Sequence, residues 1–151
     1  MKNKYFPIVA ISFCFQSFLA CAQSPVPAIV RNGLIENPAA SVTHSGLNIS
    51  SPEKEVFSIT GGTVISSVTI EGHKAVLVRS ADSIYVYANM TGLSVSRGDV
   101  LKTGQKIGEL SPTGNKKYLL HFEIWKATSD ESPLLLSYTD TKKVLNINGP
   151  N

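Results

Sequence analysis

Short apolar segments separated by glycine turns fill the middle of the chain and limit its fold more than any other feature. Six segments rich in β-branched and aromatic residues are predicted to be strands: Glu55–Ile59, Thr63–Ile70, Lys74–Arg79, Ser83–Asn89, Lys106–Leu110 and Tyr118–Trp125. Turns such as Glu71-Gly72 and Thr103-Gly104 separate them, and the sequence shows no long amphipathic helix. Such short, closely spaced strands predict an all-β, mainly antiparallel sandwich or barrel.

The first 22 residues have the composition of an export signal. Lys2 and Lys4 form a short positive region, and the run from Tyr5 to Ala20 is uncharged and almost wholly apolar. A run of about 16 residues is short for a membrane span and suits a secretory signal. We therefore predict a signal peptide over 1–22 and a protein exported to the periplasm or the cell surface.

Two processing routes fit the end of this segment. Ala20-Cys21-Ala22 has the form of an ordinary cleavage site, which would leave Gln23 as the first residue. The run Phe18-Leu19-Ala20-Cys21 resembles a bacterial lipobox, which would leave Cys21 lipidated and attached to a membrane. Because Cys14 and Cys21 are the only cysteines, the domain that follows has neither a disulfide nor a cysteine-based zinc site.

The charge of the processed chain argues against nucleic acid as a partner. Removal of Lys2 and Lys4 leaves twelve basic residues against eleven acidic ones, a net charge of +1. No basic stripe and no polybasic run remain to bind nucleic acid or anionic lipid.

After the signal, the chain divides into three parts. A proline-punctuated leader covers 23–42, a β domain covers 43–126, and a C-terminal extension covers 127–151. In the extension, we expect Leu134–Leu136 to pack on the sheet and Val144–Ile147 to form one more strand.

The last predicted strand of the β domain carries two kinds of side chain. Alternate residues of a strand share a face. One set is predicted to point into the core: Tyr118, Leu120, Phe122 and Ile124. The other set lies on the opposite face: Leu119, His121, Glu123 and Trp125.

Five motifs follow one another between His44 and Lys126. They are His44-Ser-Gly-Leu-Asn48-Ile, Gly62-Thr-Val, Tyr87-Ala-Asn89-Met, the segment from Gly98 to Gly108, and Leu119-Leu-His121-Phe-Glu. In this order they resemble the lysostaphin/LytM-type zinc peptidase domain, whose fold is the duplicated hybrid motif. The resemblance places the zinc ligands of that family at His44, Asn48 and His121, and its two auxiliary histidines at Asn89 and Leu119.

Three of these positions depart from the family pattern. Asn48 stands where the family has Asp, and Asn89 and Leu119 stand where it has His. A hydrolytic zinc site usually needs three protein ligands and a base for the attacking water. We therefore expect no catalytic residues, no bound metal and no other cofactor. The alternative is a zinc metalloendopeptidase that cleaves peptidoglycan cross-links.

The same departures resemble the degenerate LytM domains that activate cell-wall amidases by binding them. This resemblance implies a groove formed by His44, Asn48, Asn89, Leu119 and His121. It implies that the groove binds a cell-envelope protein such as a cell-wall hydrolase, or a peptidoglycan peptide, and so regulates cell-wall hydrolysis. A purely structural envelope module is a second alternative.

Other residues have simpler interpretations. We expect His73 to lie in a solvated turn, and Tyr85 and Trp125 to serve packing rather than ligand stacking. Asn89 is also suited to satisfying backbone groups at a strand end.

Overall fold

The computed structural model describes residues 35–36, 46–114, 117–126 and 133–145. The strands in these ranges are β1 (Ile35–Glu36), β2 (Leu47–Ser51), β3 (Glu55–Phe57), β4 (Gly62–Ile70), β5 (His73–Ser80), β6 (Ser83–Leu93), β7 (Val100–Leu101), β8 (Lys106–Leu110), β9 (Pro112–Thr113), β10 (Lys117–Lys126) and β11 (Leu134–Leu135). The helix α1 covers Tyr138–Val144. The predicted signal segment, most of the leader and His44 lie outside the described residues.

The described strands form one antiparallel sheet, which confirms the predicted all-β class. Their order along the sheet is β1-β2-β10-β6-β5-β4-β7, and β9 and β11 also pair with β10. β8 pairs with β3 on one side and with the far end of β6 on the other. β10 therefore lies between β2 and β6, in the middle of the fold.

The residues of β10 alternate between the core and the opposite face, as predicted. Leu120, Phe122 and Ile124 are buried, whereas the side chains of His121 and Glu123 are 27% and 20% exposed. The core continues through Tyr87, whose ring meets Phe122 edge to face at a centroid distance of 5.2 Å. This arrangement suits the charge distribution of aromatic rings.

Tyr87 places its hydroxyl group inside the core. Burial raises the pKa of Tyr87 to about 12, because the interior disfavours the phenolate. The neutral hydroxyl accepts a hydrogen bond from the backbone N–H of Ile59 at 3.2 Å. Tyr87 therefore packs in the core and also provides a hydrogen-bond acceptor for the backbone N–H of Ile59, just after β3.

Two glycine turns hold the segment from Gly98 to Gly108 against neighbouring strands. Gly98 and Gly104 have φ angles of 96° and 78°, which favour glycine. Their N–H groups donate to the carbonyl oxygens of Val64 at 2.8 Å and Ser58 at 2.7 Å. The glycine spacing of this motif thus builds a corner of the β structure.

β6 is longer than the sequence predicts. The expected end was Asn89, but the strand continues to Leu93. Asn89 has a φ of 69°, a conformation that Asn tolerates better than most residues. At this point β6 stops pairing with β10 and pairs with β8 instead.

The C-terminal extension packs on the domain, but not wholly as expected. Leu134–Leu135 forms β11, and Leu136 packs against the core, as predicted. The expected strand over Val144–Ile147 is wrong at Val144, which ends α1, and Ile147 lies outside the described residues. The Ser137 hydroxyl accepts a hydrogen bond from the N–H of Asp140 at 3.2 Å, which is an N-cap interaction that favours a helix.

We predict that Gly108→Ala lowers the free energy of unfolding by about 1–3 kcal/mol, the usual cost of overpacking. An added Cβ would overlap the carbonyl oxygen of Gly92 and lie 3.0 Å from the sulfur of Met90. Gly114→Ala is the control, because nothing lies within 4 Å of the added Cβ. Urea unfolding measures both variants, and equal losses would contradict the prediction.

Candidate functional site

The strand register collects the candidate site residues on one face of the sheet, which we call the site face. On β10 and β2, Leu119 is paired with Ser50 and His121 with Asn48. Directly paired residues of antiparallel strands point to the same side. The full set from the three central strands is Asn48 and Ser50 of β2, Ile84, Val86 and Ala88 of β6, and Leu119, His121, Glu123 and Trp125 of β10.

His121 is held by side chains on both sides of its ring. Its Nδ1 atom lies 2.8 Å from Oδ1 of Asn48, and its Nε2 atom lies 3.0 Å from Oε1 of Glu123. Both are hydrogen-bond distances, and because Asn48 Oδ1 and Glu123 Oε1 are acceptors, each contact is a hydrogen bond where the facing ring nitrogen carries a hydrogen. Two of the positions that the family uses for zinc, Asn48 and His121, are therefore bonded to each other.

Glu123 extends this contact to Trp125. The indole N–H of Trp125 donates to Oε2 of Glu123 at 2.7 Å. Asn48, His121, Glu123 and Trp125 thus form one continuous hydrogen-bonded series, which we call the polar row. Trp125 is a packing residue by sequence alone, and the sequence assigns no role to Glu123. The signal for this pairing was their spacing of two residues on one strand face.

Asn89 is committed to the backbone. The side-chain Nδ2 atom of Asn89 donates to the backbone carbonyl oxygen of Leu119 at 2.7 Å. The backbone carbonyl oxygen of Asn89 accepts from the N–H of Ser111 at 3.0 Å. The side chain joins β6 to β10 where β6 changes partner. This contact matches the simpler interpretation, in which Asn89 satisfies backbone groups.

Gly46 lets the chain pass close to the polar row. Its φ angle is 108°, and an added Cβ would lie 2.9 Å from Cγ of Glu123 and 3.3 Å from Cε1 of His121. A side chain at this position would collide with the site. The glycine of the first motif therefore has a steric role, while His44 of the same motif lies outside the described residues.

His73 is exposed, as expected, but it is the first residue of β5 rather than part of a turn. Its Nδ1 atom lies 2.9 Å from the hydroxyl oxygen of Ser111. Ser111 in turn bonds to Asn89, so this contact supports the bend of β6.

The described ranges contain no group of three or more His, Cys, Asp or Glu side chains placed to hold a metal ion. Within the same ranges, no helix has the length and apolar character needed to cross a membrane.

We predict that Asn89→Ala destabilises the fold more than Asn89→Gly does. Both variants lose the hydrogen bond to Leu119, at a cost of about 1 kcal/mol. The alanine variant also places a Cβ in the left-handed conformation, which costs about 1–2 kcal/mol more. Thermal and urea unfolding measure the difference, and identical stabilities would show that the φ of Asn89 does not constrain the residue.

Known proteins share this fold and parts of this sequence. A lipoprotein NlpD/LppB homologue from Pseudomonas aeruginosa is 32% identical over 82 residues, which are 52% of this chain and 28% of that protein. The chain therefore matches less than a third of that relative's length.

Two solved structures resemble the fold. Lysostaphin, an antimicrobial peptidase from Staphylococcus simulans, has a TM-score of 0.59 at 19% identity, covering 78% of this chain and 51% of that one. The SpoIIQ–SpoIIIAH pore-forming complex gives a TM-score of 0.56 at 19% identity, covering 80% of this chain and 91% of that one. Identities this low show the fold alone.

The sequence profile of peptidase family M23 matches residues 42–133. This range contains all five motifs that suggested a LytM-like domain, and the antiparallel sheet is the one that the resemblance implied. The chain therefore belongs to peptidase family M23.

Proposed function

We propose that this M23 domain is non-catalytic and that its site face binds a cell-envelope protein, such as a cell-wall hydrolase, or a peptidoglycan peptide. Its binding would regulate cell-wall hydrolysis. The observation that carries the proposal is the polar row, in which Asn48 and Glu123 engage both ring nitrogens of His121.

The described zinc positions do not suit a catalytic zinc ion. A histidine ligand must offer a free ring nitrogen to the metal. A ring nitrogen of His121 that donates to Asn48 or Glu123 is not free for a metal, and a hydrogen bond to a carboxylate such as that of Glu123 is of a kind worth about 1.5–3 kcal/mol. Asn48 contributes a neutral oxygen where the family has a carboxylate. His44, the remaining family position, lies outside the described residues, and we derive no hydrolytic step.

The two auxiliary positions also lack catalytic groups. The side chain of Leu119 has no acidic or basic group, and the amide of Asn89 donates to the backbone carbonyl of Leu119. General acid–base catalysis needs a titratable group within reach of the reacting water. Both positions therefore support a binding role over hydrolysis.

The site face has a composition suited to binding. Ile84, Val86 and Ala88 are half-buried beside the polar row, and Leu119 adds an apolar side chain at its end. Apolar surface next to a few fixed polar groups is typical of binding sites. The polar row fixes its own side chains before a ligand arrives, which lowers the entropic cost of binding.

The cell envelope is the proposed place of action. The predicted export signal and the lipoprotein relative both support it. The SpoIIQ–SpoIIIAH neighbour was solved as a complex of two proteins, so an M23-like fold as a protein-binding module has a precedent.

We predict that the purified chain, equilibrated with zinc and then dialysed, retains less than about 0.1 zinc ion per chain, because Asn48 replaces one of the three protein ligands of a catalytic zinc site. Asn48→Asp is the matched variant. It restores the family's carboxylate with almost no change in shape, and we expect it to raise the zinc content. Elemental analysis measures both proteins.

One tightly held zinc ion in the unmodified chain would contradict the proposal. The metalloendopeptidase alternative would then be tested by digestion of cell-wall peptides. Zinc content that is low in both proteins leaves the proposal standing and shows that the carboxylate alone does not rebuild the site.

We predict that Leu119→Asp weakens binding to the cognate partner at least about tenfold, as expected when a charge enters the centre of an interface. The partners tested are isolated sacculi, by co-sedimentation, and purified cell-wall amidases of the same organism, by titration. The control is Leu134→Asp, which changes a 64% exposed leucine outside the site face.

Circular dichroism and thermal unfolding establish that both variants fold. Equal binding by Leu119→Asp and the unmodified chain would show that the site face is not the binding surface. Failure of the unmodified chain to bind either class of partner would favour the structural-module alternative.

A further inference from the structure

The outer edge of β4 has few partners. β4 pairs with β5 from Thr63 to Ile70, but with β7 only at Gly62 and Thr63. The next residue, Val64, exchanges backbone hydrogen bonds with Gly98 and Asp99. From Ile65 to Ile70, no described residue pairs with the outer side of the strand. A strand edge of this kind offers N–H and C=O groups to another strand.

This edge lacks the features that usually prevent strand pairing. The segment Ile65–Ile70 contains neither a charged residue nor a proline, which are common protections of exposed edges. Val68 and Ile70 are 40% and 64% exposed. An uncharged edge with exposed β-branched side chains is well suited to pair with another strand.

Val68 and Ile70 belong to the site face. Val68 is paired with Ala75 of β5, and Ile70 with His73 of β5. Leu77, also of β5, is paired with Val86 of β6, a residue of the site face. Since paired and alternate residues share a side, these side chains point the same way as His121 and Leu119. The free edge is therefore a margin of the site face.

Opposite charges lie at the two ends of the free edge. Glu71 follows Ile70 in an exposed turn. Arg97, also exposed, precedes Gly98, whose N–H donates to Val64 at the other end. The carboxylate of Asp99 at that end accepts a hydrogen bond from the N–H of Ser96 at 2.8 Å, which leaves Arg97 as the charged side chain there without a described partner. The six-residue edge between Glu71 and Arg97 spans roughly 20 Å at the usual rise of a strand. Neither side chain forms an ion pair with another described residue.

We propose that this edge pairs with the same edge of a second copy of the chain, antiparallel and centred on Val68, through residues 66–70. Antiparallel pairing brings Glu71 of each copy to Arg97 of the other, so the charges complement each other twice. Parallel pairing would instead put like charges together. Such a self-complementary contact closes into a two-fold dimer.

The dimer would have a defined arrangement of binding surfaces. The two-fold axis of an antiparallel strand pair stands perpendicular to the sheet, so both site faces lie on the same side. A centre at Val68 places the two Val68 side chains beside each other on that side. The two site faces then form one bivalent surface, which gains apparent affinity for a repetitive target.

Sedimentation equilibrium of the full chain tests the pairing. We expect a monomer–dimer equilibrium that Val68→Lys and Ile70→Lys each weaken at least about tenfold, because charged edge residues oppose strand pairing. The matched controls are Val144→Lys and Leu134→Lys, which alter side chains 44% and 64% exposed. A chain that is monomeric at about 1 mM, or controls that weaken the dimer equally, would overturn the proposal.

A charge exchange tests the antiparallel arrangement. Glu71→Arg and Arg97→Glu are each expected to weaken the dimer about two- to fivefold, the usual range for exposed ion pairs. The double variant should restore it, because each new charge again meets its opposite. Single variants that weaken the dimer without restoration in the double variant would overturn the antiparallel register.

The pairing is independent of the proposed binding function. Leu119→Asp is expected to leave the dimer intact, because Leu119 lies on β10 whereas the pairing residues lie on β4. If the chain is monomeric and Ile70→Lys abolishes binding to a purified amidase, the edge pairs with a different protein and the second copy is wrong.

Discussion

The alternation of β10 is the constraint on which both the core and the site depend. Leu120, Phe122 and Ile124 are buried on one side of this central strand, and the polar row lies on the other. A slip of one residue would bury His121 and Glu123 and expose Phe122. The hydrophobic core therefore fixes the register that brings His121 beside Asn48. Packing on one face of the sheet determines hydrogen bonding on the other.

Two of the three residues at which this chain departs from the family's motif pattern take part in its hydrogen bonding. Asn48 contacts the ring of His121, and Asn89 holds β6 against the backbone at Leu119. Hydrogen bonds of this kind lose stability when one partner is removed. Replacing either asparagine by the family's residue therefore also changes contacts within the fold.

Much of the fold could be predicted because strands with a clear period leave a strong pattern. Lys106–Leu110 was predicted with its observed bounds, and the alternation of β10 was predicted residue by residue. The two-residue strands β1, β7, β9 and β11 are too short to show a period. The helix α1 was missed although Ser137 and Asp140 supply a capping signal. A strand over Val144–Ile147 was predicted there instead.

The site was predictable in its membership but not in its bonding. The motifs identified Asn48, Asn89, Leu119 and His121, and the register places Asn48 beside His121. Spacing places Glu123 on the same face as His121 and Trp125, but its contacts with both depend on side-chain conformations that spacing does not specify. The extended course of β6 depends on the φ of Asn89, which the residue type permits but does not require.

The residues that follow the family match, α1 and Leu145, are part of the folded domain. The family match stops at residue 133, yet α1 lies beyond it and packs against β2. Leu145, just after this helix, is 3% exposed and belongs to the core cluster. A fragment trimmed to the family boundary would leave apolar surface of β2 open to solvent, and β2 carries Asn48. The stability of the strand that carries Asn48 thus depends on α1 and Leu145, which lie outside the range matched by the family profile.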